Sequence, residues 1–137
     1  MWKLYALLSA VFAALTAILA KVGVKGINGN VATAIRTAIV LIMAWGIVLL
    51  SGQLKETKEI SKSNLLFLIF SGIATGLSWI FYFKALETGD VSKVAPIDKL
   101  SVVLVLIFSF LFLNEPMDLK TIIGGVLIAA GAVVLVL

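Results

Sequence analysis

The sequence predicts an all-α integral membrane protein with five transmembrane helices. Three observations carry that expectation. Hydrophobic residues make up 62% of the 137 residues and charged residues only 13%, whereas a soluble domain of this size is roughly a quarter charged. Mean hydropathy is +1.20. Five apolar stretches, each near the roughly 20 residues a helix needs to cross a bilayer, fall at 4–20, 31–50, 65–86, 91–113 and 119–137. Residues 1–137 are therefore expected to form a single transmembrane domain in contact with the lipid bilayer.

Composition narrows the chemistry. There is no cysteine and no histidine, which removes disulfides, thiolate chemistry and the usual zinc sites. No cofactor and no metal are expected. The net charge of +4 in so apolar a chain reads as topology and anionic headgroups, with no nucleic acid as partner. No GxxxxGK[ST] motif is present, so ATP hydrolysis has no support. An enzyme is the weakest class, since no nucleophile–base pair, metal cluster or acid pair lies in a water-accessible loop.

Lys3 and Lys21 bracket the first span. Lys3 with its apolar run also resembles a signal peptide, but a small-residue cleavage site is missing and four more spans follow. The joint at 21–30 carries Gly23, Gly26 and Gly29, which permit turns. Arg36 sits inside the second span, about 8 Å past its start. Two readings stand: the side chain snorkels to the surface, or it faces the bundle interior. The loop at 51–64, with Lys55, Glu56, Lys58, Glu59 and Lys62, is a solvated connector.

The third span has two stripes at helical spacing. Ser71, Thr75, Ser78 and Tyr82 form a polar one, and Gly72, Gly76, Trp79 and Phe83 lie beside it. The Gly72–Gly76 pair allows close helix approach. Trp79 lies too deep for the interfacial aromatic belt, so it either packs between helices or, with Tyr82, lines a cavity.

The fourth span holds charges. Its uninterrupted apolar run, 100–113, is only about 21 Å long, short of a hydrocarbon core of roughly 30 Å. The helix then includes part of 91–99, with Pro96 in its first turns. Asp98 and Lys99 would lie about 10 Å into it. Asp98, Ser101 and Ser109 share one face of such a helix. On the other reading, Asp98 and Lys99 are interfacial charges reaching water. Lys84 and Lys99 are both candidate partners for Asp98. Pro116 disfavours helix at Glu115 and ends this span. Asp118 is placed to cap the fifth span, whose Gly125 and Ala129 suit a packing or dimerisation surface.

Five spans put the termini on opposite sides. Lys3, Lys55, Lys58, Lys62 and Lys120 then fall on one side, and Lys21, Lys25, Arg36, Lys84, Lys93 and Lys99 on the other. Five against six gives the positive-inside rule almost nothing to act on. The expectation is dual topology: both orientations insert and pair as an antiparallel dimer.

The run GLSWIFYFKALETGDVSKVAPIDKLS, followed by FLFLNEP and IIGGVLIAAGAVVLVL, resembles an EamA domain of the drug/metabolite transporter superfamily. Lys21 closing the first helix and Arg36 early in the second also fit. The resemblance covers nearly the whole chain. It implies a multi-pass transporter of the cell (inner) membrane. Most members fuse two inverted five-helix repeats, whereas these 137 residues hold one, so the resemblance implies an antiparallel homodimer rebuilding ten helices. In relatives the first, third and fourth helices line the cavity. That implies Ser9 and Thr16, then Ser78, Trp79 and Tyr82, then Asp98 and Ser101, as cavity residues. Lys84 and Lys99 would hold a carboxylate or phosphate on a small-molecule substrate, and Asp98 would be the proton or cation site.

The leading expectation is a secondary transporter or exporter of a small, amino-acid-like metabolite. Multidrug efflux is the alternative. It ranks lower because small multidrug resistance proteins use a glutamate in their first helix, where this chain offers only Ser9 and Thr16 as polar residues. A non-transporting membrane subunit of a hetero-oligomer is a further alternative.

Overall fold

The computed structural model describes residues 1–137. The α-helices are α1 (Trp2–Gly23), α2 (Gly29–Leu50), α3 (Lys62–Thr88), α4 (Val91–Asp98), α5 (Leu100–Leu113) and α6 (Leu119–Val136), with a 3₁₀ segment at Gln53–Glu59. Helices α4 and α5 run on as one 23-residue span, Val91–Leu113, so five segments are long and apolar enough to cross a membrane. The 22 residues of α2 span about 33 Å, enough for the roughly 30 Å hydrocarbon core.

Local chemistry sets the ends of these helices. Asn28 caps α2, its side chain accepting from the Asn30 N–H at 2.9 Å. At the other end the Ser51 hydroxyl donates to the Ile47 carbonyl at 2.7 Å. Gly52 then turns the chain at φ +72°, a conformation glycine adopts without steric penalty. The apolar pattern puts the third span at 65, whereas α3 begins at Lys62. The reason is a polar first turn: the Ser61 hydroxyl accepts from the Asn64 N–H at 3.1 Å, and hydropathy does not register such a turn. Asp118 caps α6, accepting from the Thr121 N–H at 2.9 Å and from its hydroxyl.

The fourth span includes residues 91–99, as its length requires, with one irregularity. It turns at Lys99, between α4 and α5. Pro96 has no N–H to give the Ser92 carbonyl. Beyond it the Lys99 N–H is shared between the Ala95 and Pro96 carbonyls, and the Val102 N–H bonds back to Lys99 at 3.0 Å. These tighter i→i+3 bonds mark the junction of α4 and α5. Asp98 and Ser101 lie on either side of it. The span ends at Leu113, with Asn114 in the left-handed region at φ 53°, which asparagine tolerates. The stop thus precedes the residue that Pro116 restricts.

The chain divides into two compact units, Met1–Leu19 with Thr88–Leu137, and Ala20–Glu87. In the first, α6 packs against α4 and α5. Gly125 and Ala132 are its buried positions. A Cβ on Gly125 would stand 3.1 Å from a Leu106 methyl, so the missing side chain lets α6 come close to α5. In the second unit Ala20, Val24, Phe83 and Leu86 are buried. The buried Thr33 hydroxyl donates to the Gly29 carbonyl at 2.7 Å. Most other large apolar side chains are exposed, the arrangement that suits a surface solvated by lipid tails. At Gly72 and at Gly76 an added methyl would meet nothing within 4 Å.

Candidate functional site

Four charged residues of the Ala20–Glu87 unit, Lys21, Lys25, Lys84 and Glu87, lie where α1 ends, α2 begins and α3 ends. Helix α1 runs out through the Val24 N–H, which bonds to the Ala20 carbonyl at 2.9 Å. Gly26 at φ +71° reverses the chain. Two charged side chains then reach across to the neighbouring helix ends. Lys21 Nζ donates to the Leu86 carbonyl at 2.7 Å, placing a cation on the last turn of α3, where carbonyls lack helical partners. The Glu87 carboxylate accepts from the Gly29 N–H, placing an anion at the first turn of α2, where the N–H groups lack partners. Gly29 is required there: a Cβ would stand 3.2 Å from the Phe83 carbonyl carbon and on the Glu87 carboxylate. A cleft of about 360 Å³ opens beside these contacts, lined by Lys21, Val24, Lys25, Ile27, Leu86 and Glu87 among others.

Further along α2, Arg36 turns towards α3. Its guanidinium carbon lies 4.3 Å from the centroid of the Trp79 ring and 5.6 Å from that of Phe83. Stacking of this kind is attractive because the ring face carries negative charge density. Between the two readings left open for Arg36, the geometry selects contact with a neighbouring helix over extension to the surface. Trp79 on α3 thus faces Arg36 on α2. Tyr82 meets the Phe83 ring edge-on, with centroids 6.3 Å apart and an interplanar angle of 80°.

The other unit holds Asp98 and Lys99. They pair with each other, Lys99 Nζ to Asp98 Oδ2 at 3.1 Å, with side chains 57% and 34% exposed for Lys99 and Asp98 respectively. A pair so exposed contributes little to stability in water, about 0–1 kcal/mol. Asp98's partner is its chain neighbour Lys99. Ser101 is exposed, and the Ser109 hydroxyl donates to the Leu106 carbonyl at 3.1 Å. Between α5 and α6 lies a smaller apolar cleft of about 160 Å³, lined in part by Val103, Leu106, Ile122 and Val126. Outside the span, the Thr121 hydroxyl and then its backbone N–H hold the Asp118 carboxyl below the usual carboxylate range.

The nine expected site residues fall in both units. Ser78, Trp79, Tyr82 and Lys84 belong to Ala20–Glu87; Ser9, Thr16, Asp98, Lys99 and Ser101 belong to the other. Ser9, Ser78 and Lys84 are exposed, and the Thr16 hydroxyl is turned back onto the Phe12 carbonyl at 2.7 Å. Spacing did not single out Lys21, Gly29, Arg36 and Glu87 as one cluster. A signal for it does exist: Trp79, Phe83 and Glu87 recur at four-residue intervals, so the stripe through Trp79 and Phe83 extends to an acid at the helix end.

Comparison with known proteins identifies the family. Residues 1–137 match the EamA-like transporter family. The chain is 52% identical over 134 residues to a Sinorhizobium sp protein described as an "Uncharacterized transporter in cobO 3'region", covering 98% of this chain and 95% of that protein. No solved structure matches. With five apolar spans and a family match along its whole length, the chain belongs to the EamA-like transporter family.

Proposed function

We propose that this chain is a secondary transporter or exporter of a small, amino-acid-like metabolite across the cell (inner) membrane, acting as one transmembrane domain per subunit. Two copies, inserted in opposite senses, form the transport unit and alternate access around a shared site near the midplane. The observation that carries the reading is the match of a transporter family to a single set of five spans. Transporters of this general design place the substrate between inverted repeats, and one set supplies half of that frame. Two further facts support it. The five-to-six balance of cationic residues gives neither orientation an advantage. The Gly72–Gly76 notch on α3 has room for an added methyl at both positions, which suits close approach of a second copy.

In this reading Ser9, Thr16, Ser78, Trp79, Tyr82 and Ser101 contribute to the cavity wall. Lys84 and Lys99 supply positive charge, and Asp98 is the coupling-ion site, with Lys99 as its resting partner. The test is cysteine labelling in the loop around Gln53–Glu59, feasible because the native chain has no cysteine. A membrane-impermeant reagent is applied from each face in turn. Labelling from both faces is expected. Labelling from one face alone removes the antiparallel arrangement. Flux of amino acids and small metabolites into liposomes holding purified protein tests transport itself.

A further inference from the structure

We infer that Arg36, backed by Trp79 and Phe83, is a recognition site for an oxyanion, a carboxylate or phosphate group, on the transported solute. The inference rests on the transport reading above and adds the chemical class of substrate.

A guanidinium has two distinct ways of interacting. Its flat face stacks on aromatic rings, while its five N–H donors point outward in the plane as a fork. In this structure the rings of Trp79 and Phe83 engage the cation at 4.3 Å and 5.6 Å. No carboxylate of the chain forms an ion pair with the fork, and its titratable neighbour is the Tyr82 phenol. Glu87, the acid on the same stripe of α3, is committed to the Gly29 N–H. Asp98 is committed to Lys99. Thr33 and Thr37, neighbours on α2, donate their hydroxyls to the carbonyls of Gly29 and Thr33.

A permanent cation inside a membrane span is costly without a partner, and such residues mark substrate and ion pathways. The aromatic backing stabilises the charge in part. A planar fork is complementary to carboxylate and phosphate, which accept two parallel hydrogen bonds from it. The same cation repels lipophilic cations that carry no oxyanion, so the site discriminates against cationic drugs. Lys21 and Lys25 line the cleft at the start of the same helix and add to a potential that favours anions. Anionic lipid headgroups share this chemistry, and the test must separate the two sources.

The chain has three tryptophans. Replacing Trp2 and Trp45 by phenylalanine leaves Trp79 as the only indole, in contact with Arg36. Its emission is followed in detergent-purified full-length protein titrated with succinate, L-glutamate and inorganic phosphate, with succinamide as an uncharged control. Phosphatidylglycerol and phosphatidylcholine are added in separate mixed micelles. A saturable change with at least one soluble anion and none with succinamide is expected. R36Q should weaken it at least about ten-fold, the loss of a charge-assisted bidentate pair, and R36K should fall between, since it keeps charge without the fork. Equal titrations in R36Q and the parent overturn the site, as does no response to any soluble anion. A response to phosphatidylglycerol alone overturns it too, since the lipid is then the ligand. Should R36Q not give folded protein, an R36K titration equal to the parent overturns fork recognition. Liposome flux on the same preparations keeps the two readings apart. Unimpaired transport in R36Q removes the oxyanion site and leaves transport standing. Anion binding without flux of any bound anion supports the site and counts against transport.

Discussion

Replacing Gly29 by alanine tests how α2 and α3 are held together. The added methyl would stand 3.2 Å from the Phe83 carbonyl carbon and on the Glu87 carboxylate. The first neighbour is backbone within a helix, so it cannot rotate away, and α2 must move. Overpacking of this kind costs about 1–3 kcal/mol. Movement also loses the Gly29–Glu87 hydrogen bond, worth about 1.5 kcal/mol at the low end of the range for a charged partner that stays exposed. Against this, alanine is the better helix former by at most about 1 kcal/mol. The net expectation is a destabilisation of about 1.5–4.5 kcal/mol. Thermal unfolding in detergent, followed by circular dichroism, measures it. Gly46→Ala is the internal control: it lies in the same helix with nothing within 4 Å of an added methyl. It should instead stabilise, by about 0.5–1 kcal/mol. A Gly29→Ala protein that unfolds at or above the parent's temperature would refute the close-packing account, and so would equal shifts in the two variants.

Three other outcomes follow from the packing and capping of these helices. Gly125→Ala should cost less than Gly29→Ala, because its close neighbour is a Leu106 methyl at 3.1 Å that can rotate; the comparison is of midpoints in one detergent. Gly72→Leu should leave monomer unfolding unchanged, since that position is open within the chain, and should shift the purified protein towards monomer in cross-linking and light scattering. Asp118 has a folded-state pKa below its ordinary value, so its stabilisation is present above the unfolded pKa and fades as pH falls through the folded one. Asp118→Asn keeps a capping oxygen without a titrating proton, and its acid-side loss of stability should be smaller than the parent's when midpoints are compared between pH 6 and pH 3.

The five spans were legible because crossing a bilayer demands length and apolarity, and both are written directly in residues such as those of 100–113. Polar first turns were not. Helix α3 starts at Lys62 because Ser61 caps it, an effect of one hydroxyl that average hydropathy dilutes. Pro96 was visible as a disturbance, but the turn at Lys99 depends on which carbonyls the following N–H groups select. For the site, the limit was pairing. Trp79 and Arg36 each stood out, yet they lie 43 residues apart in the chain and no period links them. Glu87 read as one charge in a crowded joint until the backbone of Gly29 supplied its partner. Residue spacing reports which side chains share a face of one helix. It does not report which faces meet.

A glycine at which two long rods touch can serve as a fulcrum. Gly29 lies at the first turn of α2, with about 30 Å of helix beyond it. Tilting that lever by about 10° would carry the Leu50 end sideways by about 5 Å for a rod of this length. Close to Gly29 the displacement would be a fraction of an ångström, small enough for the Glu87 tether to follow. Farther out, at Gly46 on α2 and Gly72 on α3, an added methyl would meet nothing within 4 Å.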